Sequence, residues 1–147
     1  MDSSLAVALG ANLPSPVGEP LATLVALRPL LAAALRELWD AWGDGSPELQ
    51  WSPLFRTAPV GGPPGQPDYL NAVLLVRAEG VPQERRALAL LARLQQLECQ
   101  LGRERRERWG PRSLDLDLLW WGGLQCRSER LELPHPLWRQ RPFVLAP

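Results

Sequence analysis

The amino-acid sequence predicts an α+β fold in which two helices pack on one antiparallel sheet. Residues 20–42 and 81–101 have the composition or the spacing of helices, whereas four shorter apolar runs are bounded by turn residues, as strands are. Their order along the chain is β-α-β-β-α-β, which is the ferredoxin-like or split βαβ arrangement. The length of 147 residues suits one such unit, so we expect a single domain covering residues 1–147.

The first strand and the first helix are predicted in the N-terminal part of the chain. Residues 5–9 form an apolar run that ends at a Gly-Ala-Asn turn, which predicts a buried strand. Residues 20–42 are rich in Leu and Ala, and Pro20 suits the first turn of a helix. Because Pro29 lies within this segment and lacks a backbone N–H, we expect a kink or a break into two helices.

Two further strands are predicted in the middle of the chain. Residues 49–56 predict the second strand, and Pro53 within it indicates an edge position or a bulge. The Pro- and Gly-rich segment 58–68 predicts a loop. Residues 69–78 then form a largely apolar run, which predicts a third, buried strand.

The second helix and the fourth strand complete the predicted unit. Leucines recur every three residues in segment 81–101, Pro82 suits the first helical turn and Gly102 suits the end of the helix. We expect Cys99, within this helix, to be a small buried hydrophobe. After a polar loop, residues 114–121 predict the fourth strand, and the Gly-Gly turn that follows indicates a further hairpin.

Composition excludes several classes of function. The net charge is zero, so no overall field attracts nucleic acid or an anionic membrane, and we expect neither as a partner. All sixteen basic residues are Arg, and the absence of Lys excludes a P-loop lysine and Schiff-base catalysis. A single His, His135, excludes a zinc site built mainly from His. We find neither a signal peptide nor an apolar run of about 20 residues, which predicts a cytoplasmic protein.

Two acidic residues lie in the fourth predicted strand. Asp115 and Asp117 are two residues apart, so both side chains point to the same face of the sheet. By the same period Leu119 and Trp121 continue that face, which would make it apolar. Two adjacent anions on such a surface repel each other and lose hydration. Magnesium relieves this repulsion, because it binds one or two carboxylates together with substrate phosphates; an edge strand with one solvated face is the alternative.

A cluster of arginines immediately precedes these aspartates. Residues 103–112 contain five Arg and two Glu, a local excess of three positive charges. Guanidinium groups bind phosphate oxygens bidentately and stay charged at any relevant pH, although a solvated loop of ion pairs is the alternative. Trp109 can cover a base or another planar substrate, or it can be an ordinary packing residue. Together with the two aspartates, the cluster indicates phosphate chemistry on a nucleotide.

One segment joins these two features and resembles a known family. Residues 107–117, Glu-Arg-Trp-Gly-Pro-Arg-Ser-Leu-Asp-Leu-Asp, are similar to the signature of the 6-hydroxymethyl-7,8-dihydropterin pyrophosphokinase family of folate biosynthesis. Further similarity lies at residues 8–13, 55–61, 66–72, 133–136 and 141–145. Members usually continue beyond the position of Pro147, so we expect that part of the family's C-terminal segment is missing from this chain.

The resemblance implies a reaction, its cofactors and the residues that carry it. In the family the hydroxyl of the pterin attacks the β-phosphorus of ATP, pyrophosphate is transferred and AMP leaves. Asp115 and Asp117 would bind two magnesium ions, and Arg103 and Arg112 would assist the transfer. The positions that match nucleotide-side residues are Gln95, Glu98, Arg105, Trp109, Leu118, Arg130, His135 and Arg141. The positions that match pterin-binding residues are Thr57, Val60, Tyr69, Asn71 and Phe143. We expect a monomer.

The residues themselves support part of this implication and leave alternatives open. Tyr69 and Asn71 share one face of a predicted strand, where a ring and an amide can bind one planar ligand. An RNA-binding module of similar fold is one alternative, but it stacks bases on aromatic residues of its central strands, and residues 5–9 contain none. A glycosyl or nucleotidyl transferase with a DxD motif would leave Tyr69, Asn71 and Phe143 without a role. A catalytically inactive structural protein is the remaining alternative.

Overall fold

The helices and strands form an α+β structure around one antiparallel sheet. The computed structural model describes residues 2–58, 68–101 and 114–135. Within these ranges the order is β1 (Asp2–Ala11), α1 (Pro20–Trp42), β2 (Glu48–Trp51), β3 (Phe55–Thr57), β4 (Tyr69–Glu79), α2 (Glu84–Gln100), β5 (Asp115–Trp121), β6 (Cys126–Arg127) and β7 (Glu132–Leu133). The main sheet has the strand order β2-β4-β1-β5, β3 also pairs with β4, and β6 pairs with β7. The predicted ferredoxin-like α+β class is confirmed.

The sheet separates a large apolar core from a smaller apolar cluster. The larger core contains residues of α1 and α2 and one set of alternate residues of β1. The β1 residues in this core are Leu5, Val7, Leu9 and Ala11. The alternate residues Ala6 and Ala8 belong to the smaller cluster on the opposite side of the sheet. We call this side, which includes Ala6, Ala8 and Gly10 of β1, the open face. It is the side of the sheet that faces away from α1 and α2.

Helix α1 is one continuous helix that contains Pro29, so a break into two helices is wrong, whereas the kink given as the other outcome stays a prediction. Pro29 deprives the Val25 carbonyl of its amide partner. Both residues are exposed, so water can hydrate that carbonyl and the helix continues. Gly43 ends the helix in the left-handed conformation, with φ 74°, and its N–H donates to the Asp40 carbonyl. In the described ranges, no helix combines the length and the apolar composition needed to cross a membrane.

Helix α2 contacts the larger core through one stripe of buried residues. The apolar members of that stripe are Ala87, Leu90, Leu94 and Leu97. Cys99 lies two positions past Leu97, on the other side of the helix, and is exposed, so the prediction that it is buried is wrong. Cys126 is the buried cysteine of the two, and both are free thiols. Burial raises the pKa of the Cys126 thiol and the nearby Glu84 raises it further, so this residue stays protonated and packs as an apolar group.

The predicted strand over residues 49–56 consists of two short strands along one edge of β4. Strand β2 pairs with residues 74–77, and β3 pairs with residues 69–71. Between them the Ser52 N–H donates to the Val73 carbonyl at 2.9 Å, and Ser52 Oγ accepts from the Val73 N–H at 2.8 Å. Pro53 follows directly, in agreement with the predicted edge position.

Candidate active site

Strand register brings the two aspartates into line with a polar residue two strands away. Asp115 lies opposite Gly10 of β1, and Gly10 lies opposite Asn71 of β4. Asp117 lies one row further along, opposite Ala8. Because neighbouring strands are about 4.8 Å apart, the backbones of Asp115 and Asn71 are separated by about 10 Å. All these residues lie on the open face, since they alternate with residues of the larger core.

We call Asp115 and Asp117 the acidic pair. A bulge in β5 determines which other side chains of that strand lie on the open face with them. The register between β1 and β5 shifts between Ala6 and Val7, so β5 contains one extra residue, Leu119. Leu119 belongs to the apolar cluster of the open face, as predicted. Beyond the bulge the alternation reverses, and Trp121 packs in the larger core. The prediction that Trp121 shares the face of the acidic pair is therefore wrong.

The acidic pair is half-buried and lies beside a histidine. The Asp117 side chain is 24% exposed, and its Oδ1 lies 3.8 Å from His135 Nε2. The His135 N–H donates to the Leu119 carbonyl at 2.7 Å, which fixes the histidine backbone against β5. The family resemblance implies a nucleotide-side position for His135, and the structure places this residue next to Asp117. An imidazole in this position can donate a hydrogen bond to an anionic ligand. A cation held by the two carboxylates would bind the same ligand.

The chemistry of the donors at the acidic pair fits magnesium. Among residues 2–58, 68–101 and 114–135 there is no group of three or more His, Cys, Asp or Glu side chains that could hold a metal ion. Two partly exposed carboxylates leave most of the coordination sphere to water or substrate oxygens. Magnesium is usually bound in this way, whereas structural zinc takes four protein ligands, mainly Cys and His.

Three of the residues predicted to bind the pterin lie together at the other end of this row. Asn71 is 5% exposed, and its Nδ2 donates to Thr57 Oγ1 at 2.5 Å. Thr57 lies opposite Tyr69 in the ladder between β3 and β4. Gly10 provides the space for this arrangement, because a Cβ atom there would lie 3.1 Å from Asn71 Oδ1 and 3.7 Å from Tyr69 Cδ1. The result is an amide, a hydroxyl and an aromatic ring beside Gly10 of β1.

Glu98 approaches the acidic pair from the opposite side of the sheet. This residue of α2 is 3% exposed, and its Oε2 accepts a hydrogen bond from the Leu116 N–H at 2.8 Å. Leu116 lies between Asp115 and Asp117 in β5, and its side chain is in the larger core. The family resemblance implies a nucleotide-side position for Glu98; the structure connects this residue to the backbone that carries the acidic pair.

The remaining predicted positions are distributed around the acidic pair or lie outside the described residues. Gln95 is exposed on α2, and Arg130 is exposed between β6 and β7. The Leu118 side chain is buried in the larger core, so a ligand on the open face can reach only its backbone. The predicted residues outside the described ranges are Val60, Arg103, Arg105, Trp109, Arg112, Arg141 and Phe143.

Two features of this site were not recognised from the sequence. Gly10 was identified as the end of a strand, although a glycine directly before a polar turn also indicates close approach of another group. The contact between Glu98 and the Leu116 N–H joins residues 18 positions apart. A lone Glu among leucines at helical spacing was the available signal, since a buried carboxylate needs a partner.

Comparison with known proteins identifies similar sequences over nearly the whole chain. The family model described as 7,8-dihydro-6-hydroxymethylpterin-pyrophosphokinase (HPPK) matches residues 6–147. A protein of Synechocystis sp. named 2-amino-4-hydroxy-6-hydroxymethyldihydropteridine pyrophosphokinase is 38% identical over 141 residues, which cover 96% of this chain and 62% of that protein. The proteins of the same name in Haemophilus influenzae and Methylorubrum extorquens are 38% and 42% identical, over 96% and 80% of this chain and 76% and 70% of theirs.

Proposed function

Because this chain belongs to the 7,8-dihydro-6-hydroxymethylpterin-pyrophosphokinase family, we propose that it transfers pyrophosphate from ATP to 6-hydroxymethyl-7,8-dihydropterin in folate biosynthesis. The oxygen of the hydroxymethyl group forms a bond to the β-phosphorus and loses its proton. The bond from the β-phosphorus to the oxygen it shares with the α-phosphorus breaks, and AMP leaves with that oxygen. One observation carries the proposal: the acidic pair and the Asn71–Thr57 pair lie on one face of the sheet, separated by a single strand.

The pterin end of the proposed site is built by Thr57, Tyr69 and Asn71. A carboxamide offers both a donor and an acceptor, which matches the alternating donors and acceptors at the edge of a pterin ring. Burial of Asn71 and its bond to Thr57 hold this amide in one orientation. The separation of about 10 Å between the backbones of Asn71 and Asp115 suits a bicyclic ring whose hydroxymethyl arm points toward the acidic pair.

The phosphate end of the proposed site is built by the acidic pair and its neighbours. We propose that Asp115 and Asp117 hold two magnesium ions, which when bound neutralise phosphate charge and orient the β-phosphate for attack. His135 beside Asp117 donates to a phosphate oxygen. Arg103 and Arg112 assist the transfer, in the roles that the sequence resemblance implies. Gln95, Glu98, Arg105, Trp109, Leu118, Arg130 and Arg141 are proposed for the nucleotide side, and Val60 and Phe143 for the pterin side.

The open face disfavours an RNA-binding function. RNA-binding modules of related fold stack bases on aromatic residues of their two central strands. Here the central strands are β1 and β4, and β1 presents Ala6, Ala8 and Gly10 to the open face. The acidic pair on neighbouring β5 would also repel a phosphate backbone. We further propose that the chain acts as one domain, as a monomer in the cytoplasm, without nucleic-acid or membrane partners.

The identity of the nucleotide product tests the proposed reaction. Purified protein incubated with magnesium, ATP and 6-hydroxymethyl-7,8-dihydropterin is expected to form AMP in equal amount to the pterin consumed. Anion-exchange chromatography of the nucleotides measures this directly. Formation of ADP in place of AMP would show transfer of a single phosphoryl group, and the proposed reaction would then be wrong.

Gly10→Ala is expected to weaken pterin binding selectively. The added Cβ would lie 3.1 Å from Asn71 Oδ1, closer than an ordinary contact, so the amide has to move. Loss of about one hydrogen bond to the ring corresponds to a rise of about tenfold in KM for the pterin, with little change in KM for ATP. Gly123→Ala is the matched control, because a Cβ there meets nothing within 4 Å. An unchanged pterin KM in Gly10→Ala would contradict the placement of the pterin beside Asn71.

A further inference from the structure

We propose that Glu98 is a positioning residue that holds the acidic pair in place through the backbone of β5. The inference rests on the proposed function in one respect, namely that the acidic pair binds the metal. It assigns Glu98 a task beyond the nucleotide-side position that the family resemblance implies, and this task requires no direct contact with either substrate. The carboxylate lies on the helix side of the sheet, and the acidic pair lies on the open face of the same strand segment.

The position of β5 in the sheet creates the need for such a contact. In the order β2-β4-β1-β5, strand β5 pairs with β1 along one side. In an antiparallel ladder, alternate residues direct their N–H groups away from the partner strand. Leu116 is such a residue, and its N–H donates to Glu98 Oε2 at 2.8 Å. Further along the same outer side, the Leu119 carbonyl accepts a hydrogen bond from the His135 N–H at 2.7 Å. Among the described residues, two contacts that flank Asp117 thus attach the outer side of β5.

The chemical environment of Glu98 is unfavourable for a residue that only fills space. A carboxylate loses hydration when it is 97% buried, and an apolar side chain would avoid that cost. Glu98 also lies in the last turn of α2, where the helix dipole disfavours negative charge, and that turn itself contains no basic residue. What the carboxylate contributes is a strong, charge-assisted acceptor for a backbone amide. Fixing that amide is therefore a task that gives a reason for burying a charged group here.

The attachment acts on both aspartates because they flank Leu116 directly. Asp115 and Asp117 lie opposite Gly10 and Ala8, so β1 fixes their backbones from one side and Glu98 fixes the residue between them from the other. Ligand geometry depends on such supporting groups, and their removal typically weakens metal binding or activity by about 10- to 100-fold. Glu98 is expected to act in this way on the bound magnesium.

Two measurements that do not depend on turnover test the proposal. The first is the hydrogen exchange rate of the Leu116 amide by NMR, which is expected to rise at least about tenfold in Glu98→Ala relative to neighbouring amides. The second is binding of Mn²⁺ by electron paramagnetic resonance in the presence of a nonhydrolysable ATP analogue. Here Glu98→Ala is expected to weaken Mn²⁺ binding by about tenfold. Wild-type protein that binds Mn²⁺ but forms no AMP would refute the proposed reaction and leave this inference intact.

Conservative and control variants separate positioning from other roles. Glu98→Gln keeps an acceptor oxygen at the same distance along the side chain, so it is expected to restore slow exchange at Leu116 and most of the Mn²⁺ affinity. If Glu98→Ala fails to fold, the same two measurements on Glu98→Gln still test the proposal. Glu37→Gln on α1, whose side chain is 64% exposed, is the control for loss of one negative charge. The inference would be overturned if Glu98→Ala kept the Mn²⁺ affinity and the Leu116 exchange rate of the wild type but bound the ATP analogue more weakly. That result would indicate direct contact between Glu98 and the nucleotide.

Discussion

Asp117→Ala is expected to lower the rate of AMP formation by about a thousandfold or more. The substitution removes one of the two carboxylates proposed to hold the metal, and with it the charge that positions the β-phosphate. Asp117 Oδ1 lies 3.8 Å from His135 Nε2, so the substitution also removes the carboxylate beside the histidine that is proposed to bind phosphate. Turnover is measured at saturating ATP and pterin over a range of magnesium concentrations, because a weakened site shows first as a higher magnesium requirement.

The fold of the Asp117→Ala variant is expected to be intact, which separates loss of function from loss of structure. The side chain is partly exposed and its neighbours Leu116 and Leu118 supply the packing of β5. Circular dichroism and thermal unfolding check this point. Asp40→Ala, at an exposed position on α1, controls for removal of an aspartate elsewhere. Retention of more than about a tenth of wild-type turnover by Asp117→Ala would contradict a role in metal binding.

Trp39→Ala is expected to lower the free energy of unfolding by about 4 kcal/mol. Trp39 is 1% exposed, and its ring centroid lies 4.9 Å from that of Trp42 and 5.5 Å from that of Trp121. Its Nε1–H donates to the Glu79 carbonyl at 3.2 Å, which ties α1 to the end of β4. Truncation therefore removes a large apolar surface, leaves a cavity between helix and sheet, and deprives a carbonyl of its donor.

Chemical denaturation measures the effect of Trp39→Ala, and two variants calibrate it. Trp39→Phe keeps a ring in the core and is expected to lose roughly half as much stability, since the hydrogen bond and part of the volume are gone. Val25→Ala on the exposed side of α1 is expected to change stability by less than about 0.5 kcal/mol. A loss of less than about 1.5 kcal/mol for Trp39→Ala would mean that the contact among these three tryptophans contributes little to the core.

Much of the fold was predictable because hydrophobic patterning is a local property. The strand and helix positions followed from the length and spacing of apolar runs, and their order predicted the sheet. A break at Pro29 does not occur, because sequence shows that a hydrogen bond is missing but not that the carbonyl concerned faces water. Cys99 was misjudged because apolar neighbours at helical spacing define one face only, and Cys99 lies on the other.

The site was predictable where one strand contains it and less so where several elements meet. The common face of Asp115 and Asp117 follows from a period of two, and so does that of Tyr69 and Asn71. The bulge at Leu119 moves Trp121 to the helix side of the sheet. One extra residue in a strand whose end is apolar on both faces cannot be recognised from the pattern of apolar residues. Register between strands decides that Gly10 separates Asp115 from Asn71, and register depends on pairings remote in sequence.

The break between β2 and β3 has a consequence for self-association. A long, straight outer strand would offer a row of free backbone groups on which another copy of the chain could add its own strand. Here that outer strand is divided at Ser52 and Pro53, and the Ser52 hydroxyl takes the place of a ladder carbonyl toward Val73. The short segments that result are poor templates for strand addition, which protects the sheet at this margin from fibre-like growth.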